Sequence, residues 1–585
     1  MQIVIPQIAA QKPTERNALD RSLDRLQEHK QTWVTLPLAQ KISLLEQLVH
    51  NTGAVAQRWV SAASKAKGIP ADSALAGEEW TSGPWALMYG ARHYAQTLRD
   101  IARSGTPQLP DSAVHTRADG QVVAQVFPQS IYDTLLLNGI SAEVWMEPGV
   151  TKANLHQHMA SWYREKHPLG HVALVLGAGN IASIAPLDVL YKLVAEGQVC
   201  LLKMNPVNEY LGPFLAEAFA PFIAQGFVDI VYGSADVGEY LTSHAAVEEI
   251  HITGSAQTHD TIVFGKGDDG AARKARGSPA NPRRITSELG NVSPVIVVPG
   301  PWDAADLRYQ AEHIATMKMH NGGFNCIAGQ VLVLPQAWHQ TAALTAAIER
   351  VLRAIPNRMA YYPGAAARQQ SAVTAHPDSL VLDAVAEGHT PRTLVSLVPW
   401  TQSDDMCFQT EAFSSVLSQT QLPGDDARSF LTNAVNFCND TLWGTLGANI
   451  LIHPSTIKEI GPAFEDAIAA LKYGCIAVNA WTGVGFLLCQ ATWGAFPGHS
   501  LSDIRSGLGV VHNSYLFDRP QKSVIRQSFY PAPRALAHGD LTILPKPPWF
   551  VTNKTAATTA RRLVAFEANP SPLKLPGIFA SALLG

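Results

Sequence analysis

From residue 171 onward the chain alternates strand-length apolar runs with helix-length segments, and this rhythm leaves few folds open. His171-Val172-Ala173-Leu174-Val175-Leu176, Val199-Cys200-Leu201-Leu202-Lys203, Val228 to Gly233 and His251 to Ser255 are successive runs of this kind. Helix-like stretches such as Leu211 to Ala224 separate them. Strands spaced this way pair in parallel, because each connection must cross a face of the sheet. A second such pattern begins at Val292 to Val298. It continues through Val331 to Leu334 and Ile450 to Ile452, and ends at Ile476 to Asn479. The expected class is therefore α/β, with two mostly parallel sheets covered on both faces.

The flanking regions read differently. Residues 1–115 are mostly helical, with Ile42, Leu44, Leu45 and Leu48 at helical spacing in Ala39 to His50. Residues 119–150 contain strand-like Val122 to Phe127 and Ala142 to Trp145, which suggest a protruding β arm. Residues 266–284, rich in Gly, Arg and Lys, are expected to form an exposed loop. Residues 530–585 are interrupted by Pro545, Pro547, Pro548, Pro570, Pro572 and Pro576, and read as a wrapping tail with one short helix near Ala556 to Ala565.

Composition narrows the function classes. A chain of 585 residues with 46% hydrophobic content is not disordered, and a formal net charge of -4 offers nucleic acid no general attraction. No apolar run approaches the roughly 20 residues of a spanning helix, so no membrane span is expected. Met1 to Pro6 lacks a basic region followed by a long apolar one, so no standard secretion signal is expected. The six cysteines form no CxxC pair, which argues against a disulfide framework or a structural metal and for a reducing, cytoplasmic setting. Only 16% of residues are charged, which points to extensive buried or subunit-covered surface.

Four places could carry chemistry, and each also has an ordinary explanation. Gly177-Ala178-Gly179-Asn180 leaves a strand on glycines, as nucleotide-binding turns do. It lacks the GxGxxG fingerprint, since position 182 is alanine, and a plain turn would look the same. Cys326 follows Asn321-Gly322-Gly323-Phe324-Asn325, where glycines allow close backbone approach to a developing oxyanion. It is either a thiolate nucleophile or one buried small hydrophobe among six. Glu288 is a general base, or a partner for Arg283 or Arg284. Lys203 either holds a polar ligand or faces solvent.

In order, these pieces resemble the aldehyde dehydrogenase superfamily from roughly residue 30 to residue 525. Leu176-Gly177-Ala178-Gly179-Asn180 stands where that family has proline-tryptophan-asparagine, and Lys203 lies 23 residues after Asn180, the family's separation. Ile252-Thr253-Gly254-Ser255 resembles its phenylalanine-threonine-glycine-serine turn. Glu288 to Pro294 resembles its glutamate-leucine-glycine-glycine-lysine-serine-proline segment. Asn321 to Gly329 resembles the cysteine signature, Glu411-Ala412-Phe413 the glutamate-isoleucine-phenylalanine segment, and Trp493 to Phe496 a late aromatic-glycine region.

The resemblance implies a Rossmann-type cofactor domain (residues 1–118 and 168–289), a β-rich oligomerisation arm (119–150) and a second α/β catalytic domain (290–497). A late strand region (498–529) would return to the cofactor domain or a partner subunit, and 530–585 would be a C-terminal extension. It implies that Cys326 attacks an aldehyde, that Asn180 and the Cys326 amide hold the oxyanion, and that Glu288 activates water for release of a carboxylic acid. NAD or NADP would sit on Lys203, Gly238, Gly254, Ser255 and Glu411. Pro206 replaces the glutamate that many NAD-specific members carry, so NADP use stays open, and NAD is the first choice on frequency alone. Phe324, Trp481 and Phe486 are candidate linings for a hydrophobic or aromatic aldehyde. A homodimer or homotetramer is the implied assembly. Two alternatives stand beside this reading: a coenzyme-A-acylating dehydrogenase or acyl-thioester reductase, suggested by Lys203-Met204-Asn205-Pro206, and an inactive scaffold of the same fold.

Overall fold

Val172–Leu176 lies inside the smaller of two large sheets, with its branched side chains buried on both faces, as a parallel strand between helical layers requires. The computed structural model describes residues 11–382 and 388–585. The first ten residues of the expected cofactor unit lie outside the described residues. Val199–Lys203 and Val228–Val231 extend this sheet to one side of Val172–Leu176, and Glu249–Gly254 and Arg284–Leu289 extend it to the other. All these pairings are parallel. The chain thus reverses its direction of growth beside Val172–Leu176, and in open α/β sheets such a switch point opens a crevice at the carboxyl ends of the strands.

Among the described residues the larger sheet has eleven strands. Its parallel centre runs from Pro520–Arg526 through Cys475–Val478, Gly447–Leu451, Ser293–Val297, Gly329–Pro335 and Val416–Leu422 to Arg392–Leu397. Three antiparallel strands, Ser141–Met146, Val122–Phe127 and Val114–Thr116, continue it beyond Pro520–Arg526. The arm region is therefore not a free projection. It also holds a short helix, Ile131–Leu136, closed by a Ser130–Asp133 capping box.

The late region serves both sheets. Gly507–Leu508 pairs with Arg284–Leu289 of the smaller sheet, while Pro520–Arg526 joins the larger one within the same chain. Pro520–Arg526 is paired within the chain on both sides, by Cys475–Val478 and Ser141–Met146.

Two further expectations need correction. The segment read as a loop over 266–284 holds a helix, Gly267–Ala275, before strand Arg284–Leu289 begins. Its charges follow the helix dipole, with Asp268 and Asp269 in the first turn and Arg273 and Lys274 in the last. Residues 530–585 carry three α-helices rather than one, Arg534–Ala537, Ala556–Ala568 and Leu575–Ala582. Ala556–Ala568 packs on the short helix Ala76–Trp80, so closely that a Cβ on Gly77 would fall 2.7 Å from the Ala556 carbonyl carbon. The tail wraps its own chain. Among the described residues no helix is long and apolar enough to cross a membrane.

Candidate active site

Helix Ala304–Met319 ends in an abrupt reversal. Asn321, Gly322 and Gly323 all take left-handed backbone angles, with φ of 55°, 69° and 85°. A Cβ at Gly323 would lie 2.6 Å from the Ser414 carbonyl oxygen, so only glycine allows this passage. The reversal delivers Cys326 just ahead of strand Gly329–Pro335. Cys326 is partly exposed, into a cavity, whereas the other five cysteines are buried.

Asn180 comes from the exit of Val172–Leu176. Its Nδ2 donates to the Phe324 carbonyl at 2.9 Å, which tethers the side chain to the cysteine loop. Its own carbonyl accepts from Lys67 Nζ at 3.0 Å, Asn321 Nδ2 at 3.1 Å and Tyr361 Oη at 3.0 Å. Behind them Lys67 pairs with Glu79 at 2.7 Å, and Arg358 grips Glu78 with two bonds of 3.0 and 2.9 Å. Glu78 also accepts the Asn321 backbone N–H at 3.1 Å. This buried ionic frame was missed in the sequence. The adjacent acids Glu78-Glu79, set in a run of alanine, glycine and tryptophan, were the signal available.

Glu288, at the buried end of Arg284–Leu289, accepts a hydrogen bond from Trp493 Nε1 at 3.2 Å and borders the same cavity as Cys326. Burial pushes its carboxyl up to about 8, with the Asp188 charge adding to the rise and the nearby Cys326 thiol and the Trp493 N–H opposing it. The Cys326 thiol is held well above the usual range by burial, and then by the carboxylates of Glu288 and Glu411. Glu411 is likewise pushed up to about 8, by burial and the Glu288 charge, against the pull of Lys318 and Arg368. Trp493, which binds Glu288 directly, is a site residue that the sequence motif located without indicating its role.

A cavity of about 1170 Å³ runs along the switch-point crevice. Asn180, Lys203, Gly238, Gly254, Ser255, Glu288, Cys326 and Glu411 all border it, so the fold brings every catalytic and cofactor candidate to one cleft. Two helix starts open on it, Ala235–Ser243 and Ala256–Phe264, the second capped by Ser255. Their free N–H groups suit phosphate oxygens. Glu411 Oε1 is buried without a partner among the described residues, and a Cβ on Gly290 would fall 2.0 Å from Glu411 Oε2. Glycine at 290 thus leaves room for an acceptor that ribose hydroxyls could satisfy. A dinucleotide fits this set of donors and acceptors.

On the far side of Cys326 lies a narrow apolar slot of about 40 Å³. Asn180, Ile184 and Cys326 border both spaces. Trp481 and Phe486 line the slot. Phe324 does not. Its ring packs with Tyr361 at 4.9 Å, Phe413 at 5.9 Å and Tyr362 at 6.0 Å, outside the slot wall. The backbone reversal at 321–323 leaves Phe324 to serve the site through its carbonyl, which holds Asn180.

An α/β chain with a switch-point cleft, and a cysteine, a carboxylate and an amide converging at its end, belongs to the class of cysteine-dependent, nucleotide-using oxidoreductase folds. The family model described as "Aldehyde dehydrogenase family" matches residues 142–483, more than half of the chain, and the protein belongs to that family. It is 30% identical over 192 residues to the coniferyl aldehyde dehydrogenase of Pseudomonas sp. strain HR199, an alignment covering 33% of this chain and 36% of that one. A probable coniferyl aldehyde dehydrogenase of Pseudomonas aeruginosa PAO1 is 25% identical over 223 residues, covering 37% and 42%. The chain thus matches less than half the length of these curated relatives.

Solved structures share the fold over much more of the chain. Glyceraldehyde-3-phosphate dehydrogenase from Methanocaldococcus jannaschii, complexed with NADP, has a TM-score of 0.59 at 13% identity and covers 90% of this chain and 99% of its own. The NAD-dependent aldehyde dehydrogenase of Sinorhizobium meliloti has a TM-score of 0.57 at 17% identity, covering 89% of each.

Proposed function

We propose that the protein oxidises an aldehyde to a carboxylic acid, with NAD or NADP as hydride acceptor and Cys326 as nucleophile. The observation that carries this reading is the convergence of Cys326, Glu288 and Asn180 on one cleft, with Cys326 and Asn180 at the point where that cleft meets the apolar slot. Bound nicotinamide supplies the hydride acceptor that no side chain can provide.

Glu288 takes the thiol proton, and the Cys326 thiolate adds to the aldehyde carbonyl carbon. One Asn180 Nδ2 hydrogen is committed to the Phe324 carbonyl, which orients the amide. Its second N–H, with the Cys326 backbone amide, faces the oxyanion as charge develops. Loss of hydride leaves a thioester on Cys326. Glu288 gives up the thiol proton to solvent and, as a carboxylate again, draws a proton from water. The resulting hydroxide adds to the thioester carbonyl, and the Cys326 thiolate leaves as the acid forms. Trp493 keeps Glu288 aimed at the sulfur.

Lys203, Gly238, Gly254, Ser255 and Glu411 would hold the dinucleotide. NAD is the preferred form, because the charges of Glu209 and Asp236 act on Lys203 and would oppose a further phosphate bound beside it. The aromatic slot supports an aromatic aldehyde as substrate, in keeping with the substrate for which the two curated relatives are named. The test is formation of reduced cofactor from NAD and from NADP across aromatic and aliphatic aldehydes, with and without coenzyme A, beside Cys326→Ala. Turnover without coenzyme A that vanishes in the variant is expected. Turnover only with coenzyme A, or none with either cofactor, would overturn the hydrolytic reading.

A further inference from the structure

Two loops converge at Cys326, and both are held by one segment far back in the chain. Lys67, which follows helix Leu38–Ala66, is buried, and its Nζ donates three hydrogen bonds. They reach Glu79 Oε1 at 2.7 Å, the Asn180 carbonyl at 3.0 Å and Asn321 Oδ1 at 3.0 Å. Glu79 is the counter-ion, Asn180 sits on the loop with the proposed oxyanion donor, and Asn321 sits on the loop that delivers the sulfur. An ammonium has three donors, and here each is spent on a different segment. Tyr361 Oη lies beside it, 3.0 Å from both the Asn180 carbonyl and Asn321 Oδ1.

The short helix Ala76–Trp80 adds to this grip. Glu78, fixed by Arg358, accepts the Asn321 N–H at 3.1 Å. The Ser82 carbonyl accepts the Ser183 N–H at 3.1 Å, three residues past Asn180. Residues 67–82 thus bind each loop at two points, and they lie outside the 142–483 span of the family match. The loops also bond each other, Asn180 Nδ2 to the Phe324 carbonyl at 2.9 Å and Asn321 Nδ2 to the Asn180 carbonyl at 3.1 Å. These bonds fix where the Asn180 amide stands relative to the sulfur only while both backbones are anchored.

We propose that Lys67 and Tyr361 are positioning residues, which pin the Asn180 loop to the cysteine loop and so set the Asn180 side-chain amide where charge develops on the substrate oxygen. This inference rests on the role given to Asn180 above. A buried ion pair adds little net stability over an apolar pair of the same volume, so the value of Lys67 lies in the geometry it specifies. An oxyanion donor misplaced by about 1 Å loses most of its effect, and a rate loss of about 10²-fold follows.

Lys67→Met alone leaves Glu79 charged and unpaired, so the experiment uses Lys67→Met/Glu79→Gln, with Tyr361→Phe as a milder variant that removes only the hydroxyl. Each is made in the full-length protein, with and without Asn180→Ala. Aldehyde oxidation gives kcat and KM, and titration gives the cofactor Kd. Acylation of Cys326 by p-nitrophenyl acetate, read as a burst of p-nitrophenolate, needs neither cofactor nor hydride transfer but places an oxyanion at the same sulfur. Thermal melting and iodoacetamide titration of Cys326 count the folded, reactive sites, so both rates are taken per site.

Lys67→Met/Glu79→Gln is expected to lower kcat and the acylation rate about 10²-fold, with KM and cofactor Kd little changed. Tyr361→Phe is expected to lower both rates about fivefold, the worth of one hydrogen bond, and carries the test alone if the double variant does not fold. With Asn180→Ala present neither change should cost more, because no amide remains to be placed. Losses that multiply with that of Asn180→Ala would overturn the inference and leave the activity standing, as would full rates in both folded variants. An Asn180→Ala protein with full rates would overturn the inference together with the oxyanion role. The same non-additive pattern in acylation, with no aldehyde oxidised, upholds the inference, and the aldehyde reading alone fails.

Discussion

The two spaces that meet at Cys326 are built on different principles. The cofactor cleft, at about 1170 Å³, is framed by strand ends, glycines and helix starts, so its shape is a property of the backbone. The slot, at about 40 Å³, is framed by side chains of Thr81, Trp481, Phe486, Trp493 and Trp549 from widely separated segments. Backbone surfaces suit a ligand whose phosphates and hydroxyls are always the same. Side-chain surfaces can be altered one residue at a time without disturbing the sheet. The difference places cofactor binding in the fold and substrate choice in the packing.

That division can be broken or sharpened at four residues. Glu288→Gln keeps the shape at the junction and removes the base, and kcat is expected to fall about 10²–10⁴-fold with cofactor affinity little changed. Steady-state kinetics beside cofactor titration would check it, and a parallel loss of affinity would merge the two functions. Lys67→Met strips the buried partner from Glu79 and is expected to cost about 3–5 kcal/mol of stability in urea unfolding. Recovery in the Lys67→Met/Glu79→Gln double variant would identify the uncompensated charge as the cause.

Gly290→Ala acts on the cleft alone. Its methyl would collide with Glu411, so about tenfold weaker cofactor binding is expected, with protection of Cys326 by slot ligands intact. The smallest effect belongs to Trp493→Phe. Glu288 works as a base only when ionised, and burial raises its pKa to about 8, so activity should climb with pH through that region. The Trp493 N–H bonds the ionised form, and its loss moves this limb further up by about half to one pH unit. A pH–rate profile that moved down, or not at all, would detach Trp493 from the base.

The groups proposed to react were legible in the sequence because each sits just past a strand or a glycine turn with a local signature. Cys326 follows paired glycines, Glu288 closes a strand, and Asn180 leaves one. The helix Gly267–Ala275 was misread because its charge pattern, which suits a helix dipole, has the composition of a solvated loop. Phe324 was assigned to the slot from its nearness to Cys326 in sequence, yet the left-handed turn before it commits the ring to a separate aromatic cluster. Lys67 and Arg358 had no local mark, since Lys67 reaches Asn180 and Asn321, and Arg358 reaches Glu78, across more than a hundred residues of chain; the adjacent acids Glu78-Glu79 were the only trace of the frame.

By itself, the sequence determined the α/β class, the order of the strands' apolar runs, and which thiol, carboxylate and amide are available for chemistry. Periodicity and turn residues act over a few positions, so they can be read along the chain. Only the tertiary structure decided that Pro520–Arg526 joins the larger sheet within the chain, that Glu288 is raised to about 8, and that Trp549 completes the slot. Those outcomes depend on how distant segments exclude water from one another, and desolvation is a property of the assembled interior rather than of any stretch of chain.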